Sequence, residues 1–232
     1  MRKIDKSFEK FVNISIYYSD MQKFVEETAD LCPKKENVFR FFENDLKKAK
    51  CIILGMDPYS STYLKEDDVE PVATGRAFEV ANIKKWTDGT KNVSLTNIFK
   101  ALMFIKYNKI FTISEIREKL QKDNFRYINI KTWFDAMEKE GVIFLNATLT
   151  TTFHKSGVHE NIWKNFMNEL LTYIVNENSD IKWLIWGETA KKRVENIVDE
   201  NNIIYTCHPA TRVNNTFVEE CPFKKVKDIN WI

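Results

Sequence analysis

Asp57, Asn146 and His208 each stand within three residues of the end of a short, unbroken apolar run. The runs are Lys50–Leu54, Gly141–Leu145 and Asn202–Cys207. Taken singly, each residue has an ordinary explanation. Asp57-Pro58 can start a turn, Asn146 can bond loop backbone, and His208 can be a packing residue. Together they form a set that could cleave a bond to a polar ring leaving group. An acceptor-only carboxylate can orient water and stabilise developing positive charge. An amide can read a donor–acceptor edge, and an imidazole can donate to an oxygen that gains negative charge as a bond breaks. Glycosidic cleavage through an oxocarbenium-like state needs such parts.

The elements that must position them follow from the hydrophobic pattern. With Lys182–Trp186, the apolar runs number four, each too short and too continuous for an amphipathic helix. They read as buried, parallel strands. Helical stretches lie between them. Asn37 is placed to cap a helix carrying Val38, Phe41, Phe42 and Leu46 on one face. Ser94 to about Lys106 and Ser114 to about Lys122 each begin with a candidate cap, and Thr132–Glu140 stops at Gly141. Asn161–Asn178 carries Ile162, Phe166, Leu170 and Ile174 at intervals of four, and Glu188–Val198 turns Ala190, Val194, Ile197 and Val198 inward. Strands alternating with helices predict a three-layer α/β/α sandwich around a mainly parallel, four-stranded sheet. Ligands bind at the carboxyl ends of such strands, so Asp57, Asn146, Gly187-Glu188 and His208-Pro209 should meet on one edge.

The bulk numbers fit one domain over residues 1–232, with 1–49 packing on it as a helical part that includes Phe8, Phe11, Phe39, Phe41 and Phe42. The composition, 44% hydrophobic and 29% charged, is that of a globular chain, and a net charge of +2 gives no argument for nucleic-acid binding by itself. Lys191-Lys192-Arg193 and Lys224-Lys225-Val226-Lys227 could meet phosphates or simply be solvated surface. The four cysteines, Cys32, Cys51, Cys207 and Cys221, lack clustered ligand spacing, so neither a metal nor any other cofactor is expected. Free thiols suit a reducing intracellular compartment. The N-terminus lacks the apolar segment of a secretory signal, and no stretch approaches a membrane span.

The residues resemble the uracil-DNA glycosylase family through five ordered motifs between about residues 50 and 231. Gly55-Met56-Asp57-Pro58-Tyr59 resembles the Gly-Gln-Asp-Pro-Tyr water-activating loop. Thr74-Gly75-Arg76-Ala77-Phe78-Glu79-Val80 is similar to the Gly-Leu-x-Phe-Ser-Val segment. Gly141 to Thr150 is similar to the Gly-Val-Leu-Leu-Leu-Asn-x-x-Leu-Thr strand, and Leu184 to Lys192 to Leu-Leu-Trp-Gly-x-x-Ala-x-Lys-Lys. His208-Pro209 matches the start of the DNA-intercalation loop, and Ile229-Asn230-Trp231 resembles the Ile-Asp-Trp tail.

The resemblance implies a hydrolase of base excision repair that removes uracil from DNA, without metal or cofactor, and leaves an abasic site. It implies that Asp57 positions water and stabilises the sugar cation, while neutral His208 hydrogen-bonds the uracil O2. Asn146 would pair with uracil N3–H and O4, Phe78 would stack on the flipped base, and Tyr59 would crowd the C5 edge and exclude thymine. Met56 would line the base site through its main chain. Ser94 would touch a phosphate at a helix start. Gly187, Pro209, Ala210 and Arg212 would belong to the DNA contacts. Single- or double-stranded DNA is the implied partner of a monomer, in the cytoplasm of a bacterium or an infected cell, or in a nucleus.

Four departures bear on function. Met56 replaces the family glutamine, and Ser60 stands where many members have histidine. The segment 60–71, with the acidic run Glu66-Asp67-Asp68, is longer than usual and reads as a solvated loop or as a contact for a protein partner or substrate. Arg212 occupies the place of the leucine wedge, where it could fill a gap in the stack and meet a phosphate. His-Pro-Ala-x-Arg looks more like the poxviral branch, and the Leu-Asn-Ala-x-Leu-Thr strand more like the cellular one. Two alternatives stand beside uracil excision: a glycosylase of another modified pyrimidine, and a DNA-binding or replication-accessory module with reduced activity.

Overall fold

The computed structural model describes residues 3–88, 92–122, 128–211 and 216–232. In chain order the strands are β1 (Leu31–Cys32), β2 (Cys51–Gly55), β3 (Thr62–Lys65), β4 (Asp68–Pro71), β5 (Val142–Asn146), β6 (Thr151–Thr152), β7 (Lys182–Trp186) and β8 (Ile203–Thr206). The α-helices are α1 (Lys6–Ile14), α2 (Tyr18–Glu27), α3 (Val93–Tyr107), α4 (Ile113–Lys122), α5 (Ile130–Lys139), α6 (Glu160–Glu177), α7 (Glu188–Val194) and α8 (Thr216–Glu220).

The four apolar runs form one wholly parallel sheet in the order β5-β2-β7-β8. Alternation along each strand splits its side chains between two cores. Cys51, Ile53, Val142, Phe144, Leu184 and Trp186 face a core built with α3, α4, α5, α8 and Trp231. Ile52, Leu54, Ile143, Leu145, Trp183 and Ile185 face the other, built with α1, α2, α6 and α7. Both faces of β2, β5 and β7 are therefore dry, which is why these strands read as continuous apolar runs rather than alternating ones. The edge strand β8 is only partly covered and leaves Tyr205 41% exposed. Truncating one such side chain to alanine costs roughly 2–5 kcal/mol. The expected α/β/α sandwich is the fold observed.

Several helix boundaries differ from the sequence reading. Residues 34–46 form two short 3₁₀ segments, Lys35–Asn37 and Arg40–Glu43, rather than a helix capped by Asn37. Phe41, Phe42 and Leu46 still reach the core, but the Phe42 carbonyl accepts from the Asp5 N–H instead of continuing a helical ladder. Helix α3 is capped by Asn92, whose side chain accepts from the Leu95 N–H at 3.0 Å, so Ser94 lies inside the first turn. Helix α4 starts with a reciprocal Thr112–Glu115 capping pair, which places Ser114 inside it. Helix α7 ends at Val194, four residues earlier than the apolar pattern suggests.

The segment 60–71 is an ordered hairpin, not a plain loop. Strands β3 and β4 pair antiparallel around Glu66 and Asp67, both left-handed at φ 51° and 72°, the conformation that a tight two-residue hairpin turn demands. Leu64 and Val69 face each other across the hairpin and are 76% and 56% exposed. Among the described residues no helix is long and apolar enough to cross a membrane.

Candidate active site

The carboxyl ends of the four strands deliver the candidate residues. Backbone pairing continues past β2 and β5: the Ala147 N–H donates to the Gly55 carbonyl and the Thr148 N–H to the Met56 carbonyl, both at 2.9 Å. This fixes the turn that carries Asp57, just beyond Met56. The Met56 side chain packs against the α1/α2/α6/α7 core, so an apolar residue suits the position and its carbonyl is already engaged. The Asp57 carboxylate is half-buried and accepts a hydrogen bond from Ser156 Oγ at 3.2 Å.

Asn146 ends β5 opposite Gly55 and is 5% exposed. The absence of a side chain at Gly55 makes its place possible, because a Cβ there would lie 2.3 Å from Asn146 Oδ1. Phe78 sits in the left-handed region at φ 67°, uncommon for a bulky residue and most often found where function requires it. Its ring centroid lies 4.7 Å from that of Trp186 and 6.0 Å from that of His208. The segment before it is held from below by Arg76, whose guanidinium is buried among Glu79, Asp135 and Glu138.

His208 follows β8 and stands beside Gly187, whose φ of 95° and missing Cβ allow the close approach; a Cβ would fall 3.1 Å from His208 Cβ. His208 Nδ1 accepts from the Ala210 N–H at 3.0 Å, which leaves the ring proton on Nε2 and makes that atom a donor. Desolvation by the surrounding protein lowers the His208 pKa, favouring this neutral form. The loop is steadied by Asn97 of α3, whose Nδ2 donates to the Pro209 carbonyl at 2.7 Å.

Tyr59 packs against the α3/α5 core. Burial raises its pKa, and its hydroxyl is hydrogen-bonded to Asn92 and Ser94. Ser94 is 8% exposed and engaged with Tyr59, so an anion at this helix start would meet main-chain N–H groups rather than the Ser94 hydroxyl.

Asp57, Tyr59, Phe78, Asn146, Gly187, His208 and Pro209 thus belong to loops or strand ends on one edge of the sheet, with Ala210 next to them. Arg212 lies outside the described residues. The sequence reading missed Ser156, Asn97 and Asn92. The first lies in a stretch without a motif, and the other two are polar residues at a helix start that only tertiary contact identifies. All four cysteines are free, and among the described residues no group of three or more His, Cys, Asp or Glu side chains is placed to hold a metal ion.

No protein-family profile matches the chain. Individual proteins do. A uracil-DNA glycosylase of Francisella tularensis subsp. holarctica is 31% identical over 182 residues, covering 77% of this chain and 69% of that protein. One from Azobacteroides pseudotrichonymphae is 27% identical over 238 residues, covering 97% and 93%. The crystal structure of mimivirus uracil-DNA glycosylase superposes with a TM-score of 0.64 at 25% identity, over 89% of this chain and 69% of that one. Joined to the convergence of Asp57, Asn146 and His208 at the strand ends, this similarity shows that the chain belongs to the uracil-DNA glycosylase family.

Proposed function

We propose that the protein hydrolyses the N-glycosidic bond of uracil in DNA, releasing the free base and leaving an abasic site. The observation that carries this is the delivery of a carboxylate, Asp57, an amide, Asn146, and an imidazole, His208, to the carboxyl edge of one parallel sheet, with the Phe78 ring 6.0 Å from that of His208. The base must leave the duplex to reach them, at a cost of roughly a few kcal/mol that is lowest at mispairs. The bond between C1′ and N1 breaks with its electron pair moving onto the pyrimidine. His208 Nε2–H meets the charge that gathers on O2, and Asn146 holds the N3–H and O4 edge. Asp57 faces the cationic sugar, accepts a hydrogen bond from the attacking water and takes its proton as the new C1′–O bond forms. Tyr59, fixed by Asn92 and Ser94, closes the C5 side of the base site.

DNA is the partner this reading requires, with its backbone met by main-chain N–H groups at the start of α3 and by the loop at residues 208–211. The reaction places the protein inside the cell, wherever its DNA lies. Incubation with a uracil-containing oligonucleotide followed by alkali should cut the strand at the uracil. An uncut strand, with a control glycosylase active in the same buffer, would exclude the proposal. Offering DNA with other modified pyrimidines and identifying released bases by mass separates uracil excision from a broader specificity.

A further inference from the structure

Ser156 reaches the site from a loop that carries none of the recognised motifs. Strand β6 pairs antiparallel with β1, and the chain beyond it is fastened by successive backbone bonds. The Phe153 N–H donates to the Asp30 carbonyl at 3.0 Å and the His154 N–H to the Ser60 carbonyl at 2.7 Å. The Lys155 N–H returns to Thr152 at 3.1 Å, and Thr151 Oγ1 donates to the Lys155 carbonyl. Left-handed turns at His154 (φ 60°) and Gly157 (φ 74°) bring Ser156-Gly157 over the carboxylate. A Cβ on Gly157 would lie 3.8 Å from Asp57 Oδ2, and Ser156 Oγ donates to that same oxygen at 3.2 Å.

We propose that Ser156 is a positioning residue for the reaction: it occupies Oδ2 of Asp57 so that Oδ1 remains the acceptor for the attacking water. A half-buried carboxylate can rotate and present either oxygen, and each orientation places water differently against the sugar. A donor held by a fixed loop removes that freedom. Ser156 neither gains nor loses a proton in the step. Ser60, which stands where the family commonly has histidine, contributes through its main chain, because its carbonyl anchors the His154 turn. The hairpin β3–β4 rises directly from this anchor, and Thr62 Oγ1 lies 3.4 Å from His154 Nε2.

This role rests on the glycosylase reading, and kinetics can separate the two. Single-turnover rates and KM are measured for the wild type, Ser156→Ala, Ser156→Thr, Asp57→Asn and the Asp57→Asn/Ser156→Ala double variant. Ser156→Ala should lower the rate about 10-fold, the size expected for one lost hydrogen bond to a charged group, with KM within about 2-fold. Threonine, which keeps the hydroxyl, should restore the rate to within about 3-fold. In the Asp57→Asn background the alanine change should have little further effect, because the two residues act as a unit. An unchanged Ser156→Ala rate, a loss confined to KM, or an equal loss in both backgrounds would overturn the role while the glycosylase reading stands. A wild type inactive on uracil DNA overturns both.

Discussion

Gly55 and Asn146 face each other across neighbouring parallel strands, so closely that one methyl group on Gly55 would lie 2.3 Å from the Asn146 amide oxygen. The same Cβ would lie 3.0 Å from Ala77 Cβ, directly before Phe78. Gly55 is not in a left-handed conformation, so the demand for glycine is one of space. Gly55→Ala should therefore leave the sheet folded and displace the Asn146 amide, which is proposed to read the base. A misplacement of about 1 Å costs on the order of 100-fold in kcat/KM. Inhibition by free uracil should weaken with it. Unchanged inhibition would show that Asn146 does not contact the base.

His208 should be required in its neutral form. Its Nδ1 already accepts from the Ala210 N–H, so protonation would set two hydrogens against each other and disturb the loop. Desolvation holds its pKa below the ordinary value of 6.5. The contribution of the neutral ring to activity and stability is thus complete above the unfolded-state pKa and lost as pH falls through the lowered folded value. The rate should stay level on acidification past the ordinary histidine pKa and fall only at lower pH. Ring ¹⁵N shifts followed over about pH 5 to 8 should report Nε2–H throughout the active range. An imidazolium signal at neutral pH would contradict this. His208→Ala should cost about 10²–10³ in kcat, as for loss of one donor to a developing oxyanion.

Those two sites were legible in the sequence because a parallel sheet buried on both faces writes its strands as unbroken apolar runs and puts its chemistry just after them. That rule alone singles out Asp57, Asn146 and His208 as candidates, and the structure places each just at or after a strand end. The stretch around Asn37 was misread because Val38, Phe41, Phe42 and Leu46 satisfy a helical pattern while tertiary contacts dictate the backbone: the Asn37 carbonyl is so close to Gly75 that a Cβ there would sit 2.2 Å away. The hairpin 60–71 hid because its turn uses Glu66 and Asp67 at positive φ, without the asparagine or glycine that usually marks such a turn. Ser156 was invisible for a different reason. Its importance lies in one contact across the site, and no local pattern encodes that.

Tyr59 offers a test of base selection. Its hydroxyl is bonded to Asn92 and Ser94 at the start of α3, and burial keeps the phenol neutral. Tyr59→Phe removes those bonds and keeps the ring, so discrimination against thymine should survive with a small loss of stability of about 1 kcal/mol. Tyr59→Ala removes the ring and should permit release of thymine from normal DNA while slowing release of uracil. Chromatography of the freed bases distinguishes the two variants. Thymine release by the phenylalanine variant, or none by the alanine variant, would remove Tyr59 from the role of excluding the C5 methyl group.

Arg76 should matter to the site through stability. It is 4% exposed and lies two residues before Phe78, whose backbone is left-handed at φ 67°. Its Nη1 lies 3.0 Å from Glu79 Oε1, its Nη2 2.6 Å from Asp135 Oδ1, and its Nε donates to Glu138 Oε1 at 2.8 Å. Burial alone would lower the guanidinium pKa, but Glu138, Glu79 and Asp135 more than offset it, and the charge is retained. Glu79 is itself 3% exposed, so removing the guanidinium strands a carboxylate away from water. Breaking a buried pair in this way costs about 3–5 kcal/mol. Arg76→Ala should lower the urea midpoint accordingly, and adding Glu79→Gln should recover part of the loss, because the stranded charge is gone. Recovery by the second substitution identifies the uncompensated carboxylate as the cause. A double variant less stable than Arg76→Ala alone would assign the loss to packing of the arginine stem instead.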